Sequence, residues 1–379
     1  MKVLHLFSNW KWTGPSEHAL NLAAHLTEKG CDLTFACGRP PVTVEDSLEK
    51  RAKEVGLNLI QGFYLNKHFN IWHDVIDVGR LTRFIKKEKC ELIHTHLFND
   101  HIIAGVAARR VSKRILLVRT VYDGEGLPYS AKNRILLSNF TDGLIVVSES
   151  SRNEMEGRFN FPSDRIWKIC PGVDCNRFNQ GIKGNGIRER YGIGSTDPVV
   201  GIVARVQPQR RFEVFLKAIV YVIKKIPKLK VFIIGRGTHI EKVAIKPVES
   251  LGIKNHVIFT GYRLEDYPRI LAALDMKVFL VPGSDGSCRA VREAMAMGKP
   301  VIVAKRGILP EIVKDGVSGS VVEDTPENLA DAIIRLVDDA TLREKIGLAA
   351  RKRMSEDFNL RIQLEKIEEV YRKLKEYRT

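Results

Sequence analysis

Asp285 and Glu293 are the residues whose type and spacing point most directly to chemistry. An apolar run from Met276 to Val281 reads as a buried parallel strand, and a loop carrying Gly283 and Gly286 follows it. Asp285 and Ser287 are placed to cap a helix from about Cys288 to Met297, which Gly298 stops. The segment 300–304 reads as the next strand, and Gly307 leads to a further helix start near Leu309. A strand, a glycine loop and a helix N-terminus together form an anion site, because unpaired backbone N–H groups and the helix dipole face one point. Along such a helix the two acids stand roughly 12 Å apart, too far to share one scissile bond as paired carboxylates do in many glycosidases. They suit the two ends of an elongated ligand whose phosphates sit between them. The same spacing also fits an ordinary βαβ unit, with Asp285 as a cap and Glu293 on a solvated face.

The surrounding chain alternates strand and helix. Strands are expected at 2–7, 33–36, 92–95, 115–121 and 144–147. Helices are expected at 16–26, about 45–55, 75–87 and 101–110, with Ser148 capping a short one through Gly157. Such alternation predicts a parallel sheet covered on both faces. Between Pro171 and Pro198 lie six glycines and no clear period, which reads as a linker or domain boundary. The alternation then restarts, with strands at 199–204, 231–234, 257–260, 277–281 and 301–304. Helices are expected at 212–225, 240–251, 264–273 and 288–297. From about Pro326 the chain reads as helical to its end, closing on a charged amphipathic segment at 360–377. Two doubly wound halves place a ligand cleft between the ends of two sheets.

The bulk properties bound the answer. At 379 residues, 44% of them hydrophobic, the chain is long enough for two ordinary domains with their own cores. No apolar run approaches bilayer-spanning length, and the first ten residues pass from strand to polar loop unlike a signal peptide, so a cytoplasmic location is expected. The six cysteines are scattered without CxxC spacing, which indicates neither a zinc site nor a disulfide framework; no metal is expected. A net charge of +16 suits anionic partners such as nucleotide phosphates or an anionic membrane surface. Nucleic acid is not expected, because no recognition helix, aromatic single-strand platform or zinc-finger spacing is present.

Six ordered pieces resemble glycosyltransferase family 4. They are TGPSEHALNLAAHL near the N-terminus, ELIHTHLF, LIVVSES with CPGVD, Gly201-x3-Arg205 followed by Arg210, IIGRG with VIFTGY, and DGSCRAVREAMAMGKPVI with RGILPEIVKDGVSG. The resemblance covers nearly the whole chain. It implies the α/β GT-B fold: two Rossmann-like domains facing across a cleft, over 1–180 (acceptor) and 181–357 (donor), with the C-terminal helix 358–379 returning to the first. It implies a retaining, metal-independent and cofactor-free transferase that moves a sugar from a UDP- or GDP-linked donor to an acceptor hydroxyl. The acceptor is expected to be a glycan or a lipid-linked precursor, as in polysaccharide or lipopolysaccharide biosynthesis.

Residue by residue, the resemblance assigns Glu293 to the donor ribose, where one carboxylate can accept from two vicinal hydroxyls. Asp285 stands where the family has glutamate and faces the transferred sugar. Gly286 matches, while Ser287 and Cys288 replace a phenylalanine–glycine pair. Arg289 and Gly235 fall in the donor wall, and Gly14 lets the opposite domain's backbone approach the donor phosphate. Arg205 matches the family arginine and Arg210 replaces a lysine; both would neutralise the growing charge on the leaving diphosphate. Tyr122 stands where the family carries histidine, and it cannot take a cationic role. His96 or Asp123 is then expected to help, His96 being equally suited to bonding a backbone carbonyl. On the acceptor side, Trp10, Trp12, Trp72 and Asp123 are candidate contacts, since indoles stack on sugars or sit at membrane interfaces. The departures also leave open a catalytically weakened GT-B protein that binds nucleotide or sugar, or another GT-B enzyme such as a nucleotide-sugar epimerase.

Overall fold

The computed structural model describes residues 1–44, 46–282 and 288–377. Its chain contacts form two units: Met1–Pro171 with the chain from Gln363, and 172–282 with Cys288–Ile362.

The first unit holds a parallel sheet of β1 (Lys2–Phe7), β2 (Asp32–Cys37), β3 (Leu92–Thr95), β4 (Leu116–Val121), β5 (Gly143–Val146) and β6 (Ile166–Lys168). Their order is β2-β1-β3-β4-β5-β6. β3, β4 and β5 are buried along their whole length, so they show no polar-apolar alternation, and β3 and β4 bury His94, Thr95, Arg119 and Thr120 among their apolar residues. The second unit repeats the plan with β7 (Val199–Val203), β8 (Lys230–Ile234), β9 (Val257–Gly261), β10 (Met276–Phe279), β11 (Val301–Ala304) and β12 (Ser320–Val322), ordered β12-β11-β10-β7-β8-β9. In each unit the order reverses beside the first strand, between β1 and β3 and between β7 and β10. Ligands bind at the carboxyl ends of such switch strands. Those ends carry Ser8 and His96 in one unit, Arg205 and Val281 in the other.

Several elements depart from expectation for definite reasons. The helix expected over 240–251 is instead a π turn, Glu241–Ile245, running into Lys246–Ser250; Pro247 lacks the N–H that a regular α ladder needs there. The helical tail is broken into Pro326–Asp338, Ala340–Glu356 and Leu360–Glu376. Asp339 is extended at the first break, and its side chain accepts from the Leu342 amide to cap the next helix. A helix at Ala131–Phe140 and the short edge strands β6 and β12 were not expected. Cys288, in the left-handed region at φ 45°, occupies the cap position of Arg289–Ala296 without a side-chain cap; Asp285 and Ser287 lie outside the described residues.

The glycine-rich segment after Pro171 is packed rather than open, and it contains the helix Asn185–Arg190. A Cβ on Gly172 would collide with the Leu360 backbone, and one on Gly184 with the backbone of Ala273. Val173 N–H donates to Phe358 O at 2.8 Å, and Leu360 N–H donates back to Val173 O at 3.0 Å. Gly172→Ala should therefore cost roughly 1–3 kcal/mol through overpacking. Gly186→Ala, where the space is open, should be neutral or gain about 0.4–1 kcal/mol. Paired thermal melts of the two variants check this; equal melting temperatures would contradict the packing argument.

Candidate functional site

In the second unit, β7 runs out at Val203, and the following segment lies against the loop after β8. Val206 N–H donates to Arg236 O at 3.1 Å. Gly235, at φ +146°, and Gly237 allow this approach, since a Cβ on either would strike the carbonyl of Ala204 or Val206. Arg205 leaves this corner exposed, and its side chain has no hydrogen bond or ion pair among the described residues. Arg210 is half-buried and turned inward. Its Nη1 donates to Val281 O at 3.2 Å and Pro282 O at 2.6 Å, so it holds the exit of β10 immediately before the glycine loop.

Glu293 is 5% exposed, which removes the solvated-face alternative. Its Oε2 accepts from the Tyr267 hydroxyl at 3.0 Å, and its Oε1 pairs with Arg289 Nε at 3.3 Å. Beneath the same helix, Lys277 is fully buried and donates to Ala290 O. Burial pulls the Lys277 ammonium down to about 7, against the opposing pull of Glu293. Burial and the Glu293 carboxylate hold the Tyr267 phenol well above its ordinary value. Glu293 is thus a carboxylate kept dry and fixed in direction by a phenol and a guanidinium. Both of its oxygens retain further lone pairs for a ligand hydroxyl. Asp285, Gly286 and Ser287 lie outside the described residues.

In the first unit, the ends of β1 and β3 are tied by one carboxylate. Asp100 accepts from the amides of Ser8 (2.8 Å), His96 (3.2 Å) and Leu97 (2.8 Å). Burial raises its acid to about 7 despite these amides and Arg119. His96 is buried, and its Nδ1 meets the Tyr122 hydroxyl at 2.9 Å, so its partner is a phenol rather than a backbone carbonyl. His18 stands edge-on to the Tyr122 ring. Asp123 is exposed and accepts from Glu125 N–H in a local turn. Gly14 opens the helix Gly14–Glu28, which Thr13 and Ser16 cap reciprocally. Trp10 and Trp12 are half-buried under Lys11 and Arg51 respectively, whereas Trp72 is 78% exposed on the helix Ile71–Glu88.

His5, His94 and His96 bring ligand atoms within 4.8 Å of one another. Four of the six ring nitrogens meet hydroxyls, while His5 Nδ1 and His96 Nε2 are buried with no hydrogen-bond partner among the described residues. Tyr371, from the last helix, meets His5 Nε2 at 3.0 Å and also His94 Nδ1, and Thr120 takes His94 Nε2 at 2.8 Å. Sequence reasoning missed Tyr371, Tyr267 and Lys277. The spacing of Gln363, Leu364, Ile367, Val370, Tyr371 and Leu374 does mark Tyr371 as inward-facing.

Residues 12–177 match the pattern described as Glycosyltransferase Family 4, and residues 185–353 the pattern described as Glycosyl transferases group 1. The chain belongs to glycosyltransferase family 4. It is a nucleotide-sugar glycosyltransferase of the GT-B fold. A GDP-mannose-dependent alpha-(1-6)-phosphatidylinositol monomannoside mannosyltransferase from Mycolicibacterium smegmatis is 29% identical over 287 residues, 72% of this chain and 74% of that protein. A UDP-Gal:alpha-D-GlcNAc-diphosphoundecaprenol alpha-1,3-galactosyltransferase from Escherichia coli is 25% identical, covering 81% of each chain. Anabaena Alr3699/HepE, solved in complex with UDP, shares the fold at a TM-score of 0.83 with 19% identity, over 98% of this chain and 100% of that one.

The buried imidazoles carry a pH consequence. Burial lowers His5 to about 3 and holds His94, His96 and His101 well below the ordinary 6.5. Below 6.5 the unfolded chain binds protons that the folded chain refuses, so this stability is complete above 6.5 and is lost as pH falls. Asp100 acts oppositely: raised from 3.8 to about 7, it favours the fold as pH falls through that window. Four imidazoles outweigh Asp100 and Asp77, whose carboxyl burial also raises, and at about 1.4 kcal/mol per pH unit for each fully titrating group they predict a melting temperature that drops from pH 7 to pH 5. A flat profile across that range would contradict the burial of these histidines.

Proposed function

We propose that this glycosyltransferase acts with retention and without metal ion or cofactor, using a UDP- or GDP-sugar. Its acceptor is a hydroxyl on a lipid-linked or glycan precursor of polysaccharide or lipopolysaccharide. The carrying observation is the dry, directed carboxylate of Glu293, in the same unit as an exposed Arg205 after β7 and an Arg210 that holds the exit of β10. The ribose diol binds Glu293, and the diphosphate lies toward the N-terminus of the same helix, where helix N–H groups and Arg205 meet its charge. Because Arg205 spends no bond on the described residues, its guanidinium is available to the charge that grows as the glycosidic bond breaks. The leaving phosphate accepts the acceptor's proton on the same face, so no protein base is needed. Tyr122, held by His96, offers a neutral hydrogen bond to the sugar. The two relatives named for diphosphoundecaprenol-linked and phosphatidylinositol substrates support a lipid-linked acceptor.

Among the described residues no helix is long and apolar enough to cross a membrane. We place the enzyme in the cytoplasm, peripheral on the inner face of the membrane. Phe69, Ile71, Trp72, Val75 and Ile76 are all exposed, and the following turns of the same helix expose Arg80, Arg83, Lys86 and Lys87. One observation favours a weakened enzyme: Cys288 takes a left-handed conformation where family members use glycine, at a cost of roughly 1–2 kcal/mol.

Nucleotide release from a panel of UDP- and GDP-sugars, with thermal shift by the same donors, tests the reading. Binding without release under every condition would favour the weakened protein. Glu293→Ala should weaken donor binding by roughly 1–3 kcal/mol, with Glu293→Gln intermediate; unchanged affinity removes the ribose role. Arg205→Ala should lower kcat far more than donor affinity and leave the melting temperature unchanged. An equal loss in kcat and affinity would assign Arg205 to ground-state binding instead.

A further inference from the structure

Away from the switch strands, the first unit contains a cavity of about 570 Å³ lined by Cys37, Arg39, Glu49, Gln61, Tyr64 and Arg80, a size suited to a small ligand. Its wall is held in place. Asp77, fully buried, accepts from the amides of Tyr64 (3.0 Å) and Leu65 (2.8 Å), pinning the loop to the helix Ile71–Glu88. Tyr64 stacks on His73 with ring centroids 3.8 Å apart, and the Arg80 guanidinium covers the Tyr64 ring at 5.6 Å while donating to Gly62 O. Gly38 lets the chain leaving β2 run against Leu65 O, where a Cβ would stand 2.7 Å away.

The lining chemistry is specific. Arg39 is exposed, and its guanidinium has no hydrogen bond or ion pair among the described residues. With Arg80, whose Nη1 is taken by Gly62 O, it lines the cavity with two guanidiniums suited to a phosphate. Glu49 Oε1 accepts from Lys53 (2.6 Å) and Gln61 (3.1 Å), leaving Oε2 as an acceptor for a hydroxyl. Burial pushes the Cys37 thiol up to about 12, so it lines the cavity as an inert group. Arg80 stands one turn beyond Ile76 and two beyond Trp72 along the exposed face of one helix. Arg80 therefore joins the cavity wall to the apolar strip on one helix.

We propose that this cavity seats the phosphate-bearing, hydroxylated headgroup of a membrane lipid, with Arg39 and Arg80 on the phosphate. Glu49 and Gln61 take the hydroxyls, and the strip from Phe69 to Ile76 enters the bilayer surface from which the lipid projects. The ligand's role as acceptor rests on the transferase reading; its binding does not.

Calorimetric titration with sn-glycerol 3-phosphate, against glycerol at matched ionic strength, probes the cavity. Co-sedimentation with vesicles of phosphatidylcholine, with and without roughly one-third phosphatidylglycerol, probes the surface. Wild type is expected to bind glycerol 3-phosphate and the anionic vesicles. Arg39→Gln should lower affinity for glycerol 3-phosphate by roughly tenfold or more at an unchanged melting temperature, and Arg80→Gln should act in the same direction. Trp72→Ser combined with Ile76→Ser should abolish vesicle binding and leave glycerol 3-phosphate affinity intact. Wild type failing to distinguish glycerol 3-phosphate from glycerol would overturn the proposal, as would Arg39→Gln and Arg80→Gln binding like wild type. Binding of glycerol 3-phosphate with vesicle binding indifferent to Arg39 and Trp72 would assign the cavity to a soluble phosphate and also overturn it. Nucleotide release is followed in parallel. Intact probe binding with no release from any donor sinks the transferase reading and leaves the cavity standing; release without probe binding sinks the cavity alone.

Discussion

Asp100 is the group on which the loops of the first unit depend. Its two oxygens hold three amides from the segments that leave β1 and β3, the adjacent strands at which the sheet order reverses. A carboxylate in this position is held against a large desolvation cost, which appears as its raised pKa. The compensation is directional. Three amides that would otherwise be orphaned at strand ends are satisfied at one point, and His96 is delivered to Tyr122 with its backbone already fixed.

The second unit handles charge in the same way with different residues. Arg292 is 1% exposed and donates to Gly172 O at 3.0 Å, joining the helix that carries Glu293 to the chain segment after Pro171. Lys277 and Tyr267 bond to the same helix, at Ala290 O and at the Glu293 carboxylate. Removing any one of these leaves a buried partner uncompensated, which costs more than the bond itself contributes. The site is therefore rigid where it is charged, which suits a reaction whose catalysis lies mainly in positioning and electrostatics.

Much of this was legible in the sequence, and the failures have physical causes. The helix 212–225 and the Ser148 cap emerge as read, because amphipathic period and capping chemistry are local properties. Glu293 stood out by its spacing, yet its burial did not, since the hydroxyl and guanidinium that make burial tolerable come from Tyr267 and Arg289. The π turn was hidden because Pro247 permits more than one local solution. The cavity at Arg39 and Arg80 was invisible for another reason: its residues are spread from position 37 to 80, and only the fold collects them. Tyr371 was visible as an inward position, but its partners on β1 and β3 lie hundreds of residues earlier.

That last separation bears on how the protein is made. During synthesis the first 171 residues leave the ribosome long before Tyr371 exists, so β1 and β3 assemble with three buried imidazoles and no phenol to bridge them. A nascent first unit is thus an unfinished body with a polar hole on one face, awaiting the helix Leu360–Glu376. Docking of that helix, rather than emergence of the sheet, completes it. A chain shortened by ten residues would lose the bridging phenol while keeping every strand of both sheets.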